Sequence, residues 1–402
     1  MDDSEDVYRH NSLDSDRLRL LRFETASKSI IKPDNRCPRL LIEDCLRREA
    51  PPYRALSYEW GEPTTDLHTI RLNGRTFKAR ANLWWCLRHM QRLYDDRHIW
   101  IDALCIDQHN IQERNEQVRN MGEVYSSATS VLVWLGLRHD AERAEKELQA
   151  GNTLKAAPKP LLNKHVIRKS YWTRLWIVQE LLLARRIEML CGMNVIQWET
   201  QAEYIKFSIN YGGWDNDFIF HRIIEDALVT EVDQRGREHL SLAEVLWRYG
   251  HSQCEDPRDK LFALLNILPA DERAFLSQWF PDYAVPAEKV QLLLLAYLRM
   301  FAPKAQYRDK PDKAPLRQHI APSYIGVESL EFWHTLISKT ETHARLGETR
   351  PEKLWTPKFA TQLLLQGRPR SAFKQRKQKI EQRHREWIDS CAHALHNLAI
   401  SE

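Results

Sequence analysis

The stretch His98-Ile-Trp-Ile-Asp-Ala-Leu-Cys-Ile-Asp107 is mostly apolar, with one acidic residue inside it and another at its end. Runs of this composition are typical of a strand covered on both faces of a parallel sheet. Similar apolar runs occur before it, at Tyr53–Gly61, and after it, at Ser130–Leu135 and Ile187–Cys191. Helical patterns separate these runs. The alternation predicts an α/β fold, a parallel sheet with helices on both faces.

Polar and aromatic residues stand at the carboxyl ends of the predicted strands. Sheets of this class bind ligands at that edge, near the point where the strand order reverses. Ser57, Tyr58, Trp60 and Gly61 end the first run, and Asp102 lies inside the next. We expect all of them near one rim of the sheet. For Asp102, a structural hydrogen bond inside a strand is an alternative to a ligand contact.

Glu180 is the best single candidate for chemistry in the sequence. Residues 172–184 predict one helix, on which Trp172, Trp176 and Glu180 share a face at intervals of four residues. A carboxylate on an aromatic, apolar face is costly to bury without a partner or a function. The structural alternative is a buried ion pair that joins helix to sheet. Its possible partners are Arg54, Arg174 and Arg185.

Shorter elements flank this pattern. Arg17–Phe23 and Arg39–Glu43 predict two short strands, the second at a sheet edge. Asn73-Gly74 predicts a hairpin turn, and Asn82 is expected to cap a helix over residues 83–94. A long helix is predicted over residues 111–128. On it, Glu113, Arg114 and Gln117 form either a solvated face or an assembly surface.

Three regions are predicted: a lead-in with short strands over residues 1–50, the α/β domain over 51–200, and a mainly α-helical accessory region over 201–402. Helical periodicity in the last region covers residues 201–209, 216–229, 241–250, 257–268, 286–300, 328–339 and 373–398. A basic run from Arg368 to Arg385 accompanies the final helix. A solvated helix face is the expected reading of this run, with nucleic acid, an acidic membrane surface or a nuclear address as alternatives.

Composition excludes several classes of protein. The net charge of +4 is too small to imply nucleic-acid binding by itself. No apolar run approaches the roughly 18 residues that a membrane helix needs. The acidic N-terminus does not resemble a signal peptide. Seven scattered cysteines without a CxxC pair fit reduced thiols in the cytoplasm or nucleus. No metal-ligand spacing and no phosphate-binding glycine loop occurs, so no metal site or bound cofactor is expected.

Three blocks of sequence carry a resemblance to a known family. They are Tyr53-Arg-Ala-Leu-Ser-Tyr-Glu-Trp-Gly61, Trp100-Ile-Asp-Ala-Leu-Cys-Ile-Asp-Gln108 with Val133-Trp-Leu-Gly136, and Tyr171-Trp-Thr-Arg-Leu-Trp-Ile-Val-Gln-Glu180. In order and spacing they resemble the heterokaryon incompatibility (HET) domain of filamentous fungi. Two later segments, Asp256-Pro-Arg-Asp-Lys-Leu-Phe-Ala-Leu-Leu265 and Pro281-Asp-Tyr283, look like segments that often follow that domain.

The resemblance implies an effector of fungal non-self recognition and programmed cell death, with an unknown protein partner. The HET domain is distantly similar to Toll/interleukin-1 receptor (TIR) domains, which implies a TIR-like or flavodoxin-like sheet. TIR domains begin with a strand ending in Ser-Tyr, as Ser57-Tyr58 does here. TIR members that cleave NAD carry an aromatic residue four positions before a glutamate, as Trp176 and Glu180 stand here.

On this resemblance Glu180 is the catalytic carboxylate of an NAD glycohydrolase, with NAD as substrate. A carboxylate there would stabilise the ribosyl cation, and aromatic rings would stack on the bases. The stacking candidates are Trp60, Trp172 and Trp176; Ser57, Tyr58, Gly61 and Asp102 line the rim, and Arg174 is the candidate for a phosphate contact.

The alternative is a non-enzymatic death-signalling module that acts by homotypic assembly. The enzyme requires Glu180 to face an open cleft, whereas the module allows it to be buried and paired. The tryptophans are then core residues. Cys105 is read as a small buried thiol and not as a nucleophile, because no histidine is fixed near it in sequence.

Overall fold

A computed structural model of the chain describes residues 6–24, 37–61, 66–93, 97–137, 155–156, 170–198, 223, 226, 240–287, 290, 291 and 294. The chain divides into two compact units, residues 1–284 and 285–402. In the second unit the described residues include three buried apolar side chains, Val285, Val290 and Leu294. All elements below belong to the first unit.

Ten strands form one sheet among the described residues, in the order β5-β4-β2-β1-β6-β3-β7-β9-β10-β8. In chain order they are β1 Arg17–Phe23, β2 Arg39–Leu46, β3 Tyr53–Tyr58, β4 Leu67–Leu72, β5 Arg75–Arg80, β6 His98–Trp100, β7 Ser130–Trp134, β8 Lys155–Ala156, β9 Ile187–Cys191 and β10 Asn194–Gln197.

The sheet is mixed, which corrects the prediction of a parallel sheet. The four neighbouring strands β6, β3, β7 and β9 are parallel, as expected. β1 runs antiparallel to both β2 and β6, and two hairpins add antiparallel pairs toward the edges. Every residue of β3 and β7 is buried, so both faces of the centre of the sheet are covered.

Seven α-helices surround these strands in the described part of the chain. They are α1 Ala81–Leu93, α2 Asp102–Cys105, α3 Ile111–Ser127, α4 Ile177–Leu182, α5 Leu242–Tyr249, α6 Asp259–Phe262 and α7 Ala270–Leu276. Three short 3-10 turns accompany them, Arg47–Glu49, Ser170–Thr173 and Leu265–Ile267. The α/β class is therefore confirmed, and likeness to TIR or flavodoxin sheets stays a prediction.

Several local predictions are confirmed. Asn73 and Gly74 both have positive φ, 50° and 77°, as the hairpin turn between β4 and β5 requires. The long helix predicted over residues 111–128 is α3, Ile111–Ser127, and the residue before it, Asn110, accepts a hydrogen bond from the N–H of Glu113. Asn82, in contrast, lies inside α1 and does not cap it. Its amide donates to the carbonyl of Glu59 and accepts from Trp134 Nε1.

Two strand predictions are wrong in position. β2 is not at an edge of the sheet, because it pairs with β1 on one side and β4 on the other. The run from His98 is not one strand either: β6 ends at Trp100, and Asp102 begins the short helix α2. Asp102 therefore lies just beyond the carboxyl end of the strand, where its side chain is half-buried.

Buried side-chain contacts join strand β1, near the N-terminus, to helix α3. Arg19 on β1 donates to both carboxylate oxygens of Glu113 on α3, at 2.5 and 3.0 Å, and to the carbonyl of Cys105 at 2.8 Å. Glu113 is 4% exposed and Gln117 is 1% exposed. The expectation of a solvated or assembly face at Glu113 and Gln117 is therefore wrong: this face of α3 is an internal contact.

Of the helices predicted after residue 200, two fall on described residues. Residues 241–250 correspond to α5, and residues 257–268 correspond to α6 with the 3-10 turn Leu265–Ile267. The predicted helices 201–209, 328–339 and 373–398 and the basic run lie outside the described residues, as do most of 216–229 and 286–300. Within the part of the chain that is described, no helix is long and apolar enough to span a membrane.

Candidate functional site

The expected rim exists at the carboxyl ends of β3 and β6. Ser57 and Tyr58 are the last residues of β3, and Asp102 follows β6 directly. Trp60 connects the two strand ends, since its Nε1 donates to Asp102 Oδ2 at 2.8 Å. Parallel pairing of β3 with β6 brings these ends to the same edge of the sheet.

The segment that carries Glu180 is not the single helix predicted over residues 172–184. A 3-10 turn, Ser170–Thr173, comes first, and α4 begins only at Ile177. Arg174 lies between them and forms an isolated parallel bridge with Gln253. Trp172, Trp176 and Glu180 therefore do not share one continuous helical face. Backbone pairing with Gln253, about eighty residues downstream, interrupts the helix before Ile177.

Glu180 is held by a chain of hydroxyl groups. Ser57 Oγ donates to Glu180 Oε2, and the hydroxyl of Tyr171 lies 2.6 Å from Ser57 Oγ. Because Ser57 has one hydroxyl proton and gives it to the carboxylate, Tyr171 is the donor in the second bond. All three side chains are buried: Glu180 is 2% exposed, and Ser57 and Tyr171 are each 1% exposed.

Arg174 is the positively charged residue that most strongly affects the pKa of Glu180. Its Nη1 donates to the carbonyl of Tyr58, and the side chain is half-buried. Burial raises the pKa of Glu180 to about 7, while the charge of Arg174 and the hydrogen bond from Ser57 oppose the rise and the charge of Asp102 adds to it. A carboxyl with such a pKa titrates near neutral pH.

Glu180 forms none of the three ion pairs considered as alternatives. Arg54 lies 3.6 Å from Glu188, and Arg185 donates to the carbonyl of Ser126. Arg174 is near enough to influence the pKa of Glu180, yet no ion pair to this carboxylate occurs among the described residues. The buried Glu180 carboxylate is thus partnered by the hydroxyl of Ser57, in place of the arginine considered from the sequence.

The candidate site residues differ in their exposure to solvent. Trp60, Asp102 and Arg174 are half-buried, whereas Ser57, Tyr171 and Glu180 are buried. Burial raises the pKa of Asp102, against the charge of Arg174 and the hydrogen bond from Trp60. Burial also raises the pKa of the buried Tyr58.

The remaining predicted site residues are divided between the rim and the core. Arg80 lies 5.5 Å from the centre of the Trp60 ring and donates to the carbonyl of Gly61 at 2.6 Å. Gly61 has φ of 75°, which favours glycine. Trp172 is 3% exposed and packs edge-on against Tyr171, with ring centres 4.8 Å apart. Of the three aromatic candidates, Trp60 is therefore the one at the rim.

Trp176 is turned toward a different partner. Its Nε1 donates to Asp259 Oδ2 at 3.0 Å, and Tyr283 donates to the other oxygen of Asp259 at 2.6 Å. Burial raises the pKa of Asp259 to about 6, against the hydrogen bonds from Tyr283 and Trp176. Sequence reasoning assigned no role to Tyr171, Asp259 or Gln253. Tyr171 lies in a block that resembles the HET domain, and Asp259 lies in a segment that resembles those that follow it, so the sequence could have pointed to both.

Cys105 behaves as a structural thiol. It is 1% exposed, and burial raises its pKa to about 12, so the nucleophilic thiolate is disfavoured. Among the described residues, no group of three or more histidine, cysteine or acidic side chains is placed to hold a metal ion.

Comparisons with known proteins identify the segment that contains this site. Residues 53–180 match the family model described as "Heterokaryon incompatibility protein (HET)". A curated relative, "Heterokaryon incompatibility protein 6, OR allele" of Neurospora crassa, is 41% identical over 99 residues. That match covers 21% of this chain and 14% of the relative, so this chain spans a small part of the relative's length. No solved structure matches the chain. The rim, Ser57 and Glu180 thus all lie within a segment similar to the HET family.

Proposed function

We propose that this chain is a heterokaryon incompatibility effector, active in fungal non-self recognition and the cell death that follows. The match of residues 53–180 to the HET family supports this role, as does the relative from Neurospora crassa, whose name states heterokaryon incompatibility. The partner is a protein of unknown identity, and the expected place of action is the cytoplasm, with the nucleus as alternative.

Within this role, the geometry favours a non-enzymatic module that self-associates through its HET-type segment. One observation carries this choice: the Glu180 carboxylate is 2% exposed and accepts from Ser57, which itself contacts Tyr171. Cleavage of NAD requires a carboxylate that reaches the ribose, and a carboxylate that is 2% exposed does not do so. A sealed, hydrogen-bonded carboxyl instead fixes α4 against the sheet.

NAD cleavage is the second candidate, because one observation favours it. At and next to the rim the site combines the Glu180 carboxyl, with a pKa of about 7, and two half-buried side chains, Arg174 and Trp60. Such a set suits a ribosyl cation, a phosphate and a base. On this reading Glu180 becomes reachable only after α4 moves, NAD is a substrate, and no bound cofactor is needed.

The test measures NAD loss, nicotinamide release and cell killing for three full-length proteins: wild type, Glu180→Gln and the control Glu123→Gln, whose side chain is exposed on α3. Each purified protein is assayed as isolated and after forced oligomerisation. The module predicts killing by all three proteins, self-association on activation and no NAD loss.

NAD loss by wild type and Glu123→Gln that is absent in folded Glu180→Gln would overturn the module and establish the enzyme. Full-length protein that neither kills nor responds to an incompatible fusion would overturn the effector role itself.

A further inference from the structure

The segment from Gln253 to Tyr283, here called the clamp segment, lies outside the matched residues 53–180 but contacts the segment that carries Glu180. That second segment, residues 170–182, is here called the Glu180 arm. α4 within the arm has only six residues. A helix this short has little stability of its own, so its position depends on tertiary contacts.

The first contact is between backbones. The N–H of Gln253 donates to the carbonyl of Thr173 at 2.6 Å, and the N–H of Leu175 donates to the carbonyl of Gln253 at 2.8 Å. These two bonds bracket Arg174, which donates to the carbonyl of Tyr58 at the end of β3. The clamp segment therefore restricts the position of Arg174, whose charge lowers the pKa of Glu180 against the effect of burial.

The second contact is centred on Asp259, which is 5% exposed. One of its oxygens accepts from Trp176, the residue directly before α4, and the other accepts from Tyr283. Tyr283 is itself fixed to α3, because Arg114 lies 3.6 Å from its ring centre. Asp259 thus connects the start of α4 to Tyr283 through two hydrogen bonds. Tyr283 contacts α3 through the Arg114 guanidinium and through its own N–H, which donates to Asn115 Oδ1 at 2.8 Å.

The third contact is at Asn266. Its amide donates to Gln179 Oε1 on α4 at 3.1 Å, and its side chain lies against Gly122 of α3. A Cβ on Gly122 would stand 2.6 Å from Asn266 Cβ, closer than any ordinary contact. Glycine at this position is what allows the clamp segment to approach α3 and α4 together.

We propose that the clamp segment is a conformational latch of the HET-type fold: it holds the Glu180 arm against β3, and its release is the step that exposes the Ser57–Glu180 pair. Asp259 is the main positioning residue and acts through Trp176. The arm then forms a local opening unit that is less stable than the central strands, because a six-residue helix loses three external contacts at once.

Hydrogen exchange of the full-length protein tests this latch. In Asp259→Ala, we expect the amides of α4 to exchange about tenfold faster than in wild type, since a buried acceptor of two hydrogen bonds is lost. β1 and β7 should keep their wild-type rates. Asp271→Ala is the matched control in the same segment, because Asp271 is exposed. Asp259→Asn retains an acceptor and should show a smaller increase.

Gly122→Ala disturbs the third contact, at Asn266, and leaves Asp259 intact, so it tests the latch independently if Asp259→Ala does not fold. It should raise exchange in α4 and in residues 253–283, whereas Glu123→Ala on the next position of α3 should not. Unchanged α4 exchange in folded Asp259→Ala and Gly122→Ala would overturn the latch. An equal increase in α4 and in β7 would also overturn it, because the segment would then be ordinary core. Neither result depends on NAD or on cell killing.

Discussion

Glu113 and Glu180 are two buried glutamates with similar exposure, 4% and 2%, and very different surroundings. The Glu113 carboxylate accepts hydrogen bonds from both terminal nitrogens of the Arg19 guanidinium, and from the N–H of Asp107 at 2.8 Å. The Glu180 carboxylate accepts one hydrogen bond, from the hydroxyl of Ser57. The first carboxylate is neutralised by a cation, so it acts as a fixed link between β1 and α3. The second is held without ion pairing, and its protonation state follows its environment.

The largest expected effect is at the paired glutamate. Arg19→Ala leaves the Glu113 carboxylate buried without its cation, and we expect a loss of about 3–5 kcal/mol in the free energy of unfolding. Urea or thermal unfolding measures it. Arg17→Ala is the control on the same strand: its pair with Asp44 is exposed, and such pairs contribute about 0–1 kcal/mol. Equal losses for both variants would show that the Arg19–Glu113 pair is not an internal link.

The second effect concerns Glu180 and depends on pH. Its pKa is 4.5 in the unfolded chain and about 7 in the fold, so the folded state binds more protons between these values and stability falls as pH rises through them. Glu180→Gln removes this titration. The free energy of unfolding of wild type, relative to the variant, should therefore decrease by about 3 kcal/mol from pH 4.5 to pH 7.

Glu113→Gln is the matched variant at the paired glutamate, because it leaves the always charged Arg19 without its carboxylate and should be destabilising at every pH in that range. A flat difference between wild type and Glu180→Gln across the window would contradict the proton-dependent account of Glu180.

The smallest effect is at the outer end of the chain of hydroxyls. Tyr171→Phe removes the donor to Ser57 and should lower the free energy of unfolding by about 1 kcal/mol. The bond from Ser57 to Glu180 remains, so the pH dependence attributed to Glu180 should persist. Tyr125→Phe, which loses a bond to the carbonyl of Leu56 at 3.2 Å, is a matched control on α3. Loss of the pH dependence in Tyr171→Phe would show that the two bonds act as one unit.

The comparison also explains which parts of the site the sequence could predict. Ser57, Trp60 and Asp102 follow apolar runs, and parallel pairing necessarily brings such strand ends together. Glu180 stood out as a carboxylate among apolar residues. Neither pattern contains the partners, because Ser57 and Glu180 are 123 residues apart, and Arg19 and Glu113 are 94 apart. The same limit applies to Glu113, which local polarity places on a solvated helix face.

The α/β class, the three central strands β3, β7 and β9, and the hairpin at Asn73 could be predicted from the sequence alone, since these depend on local apolar runs and turn chemistry. The mixed sheet and the start of the Glu180 helix at Ile177 depend on tertiary contacts and could not be predicted in that way. The physical reason is that backbone pairing with a distant strand or with Gln253 outweighs local helical preference, and no short window of sequence contains that partner.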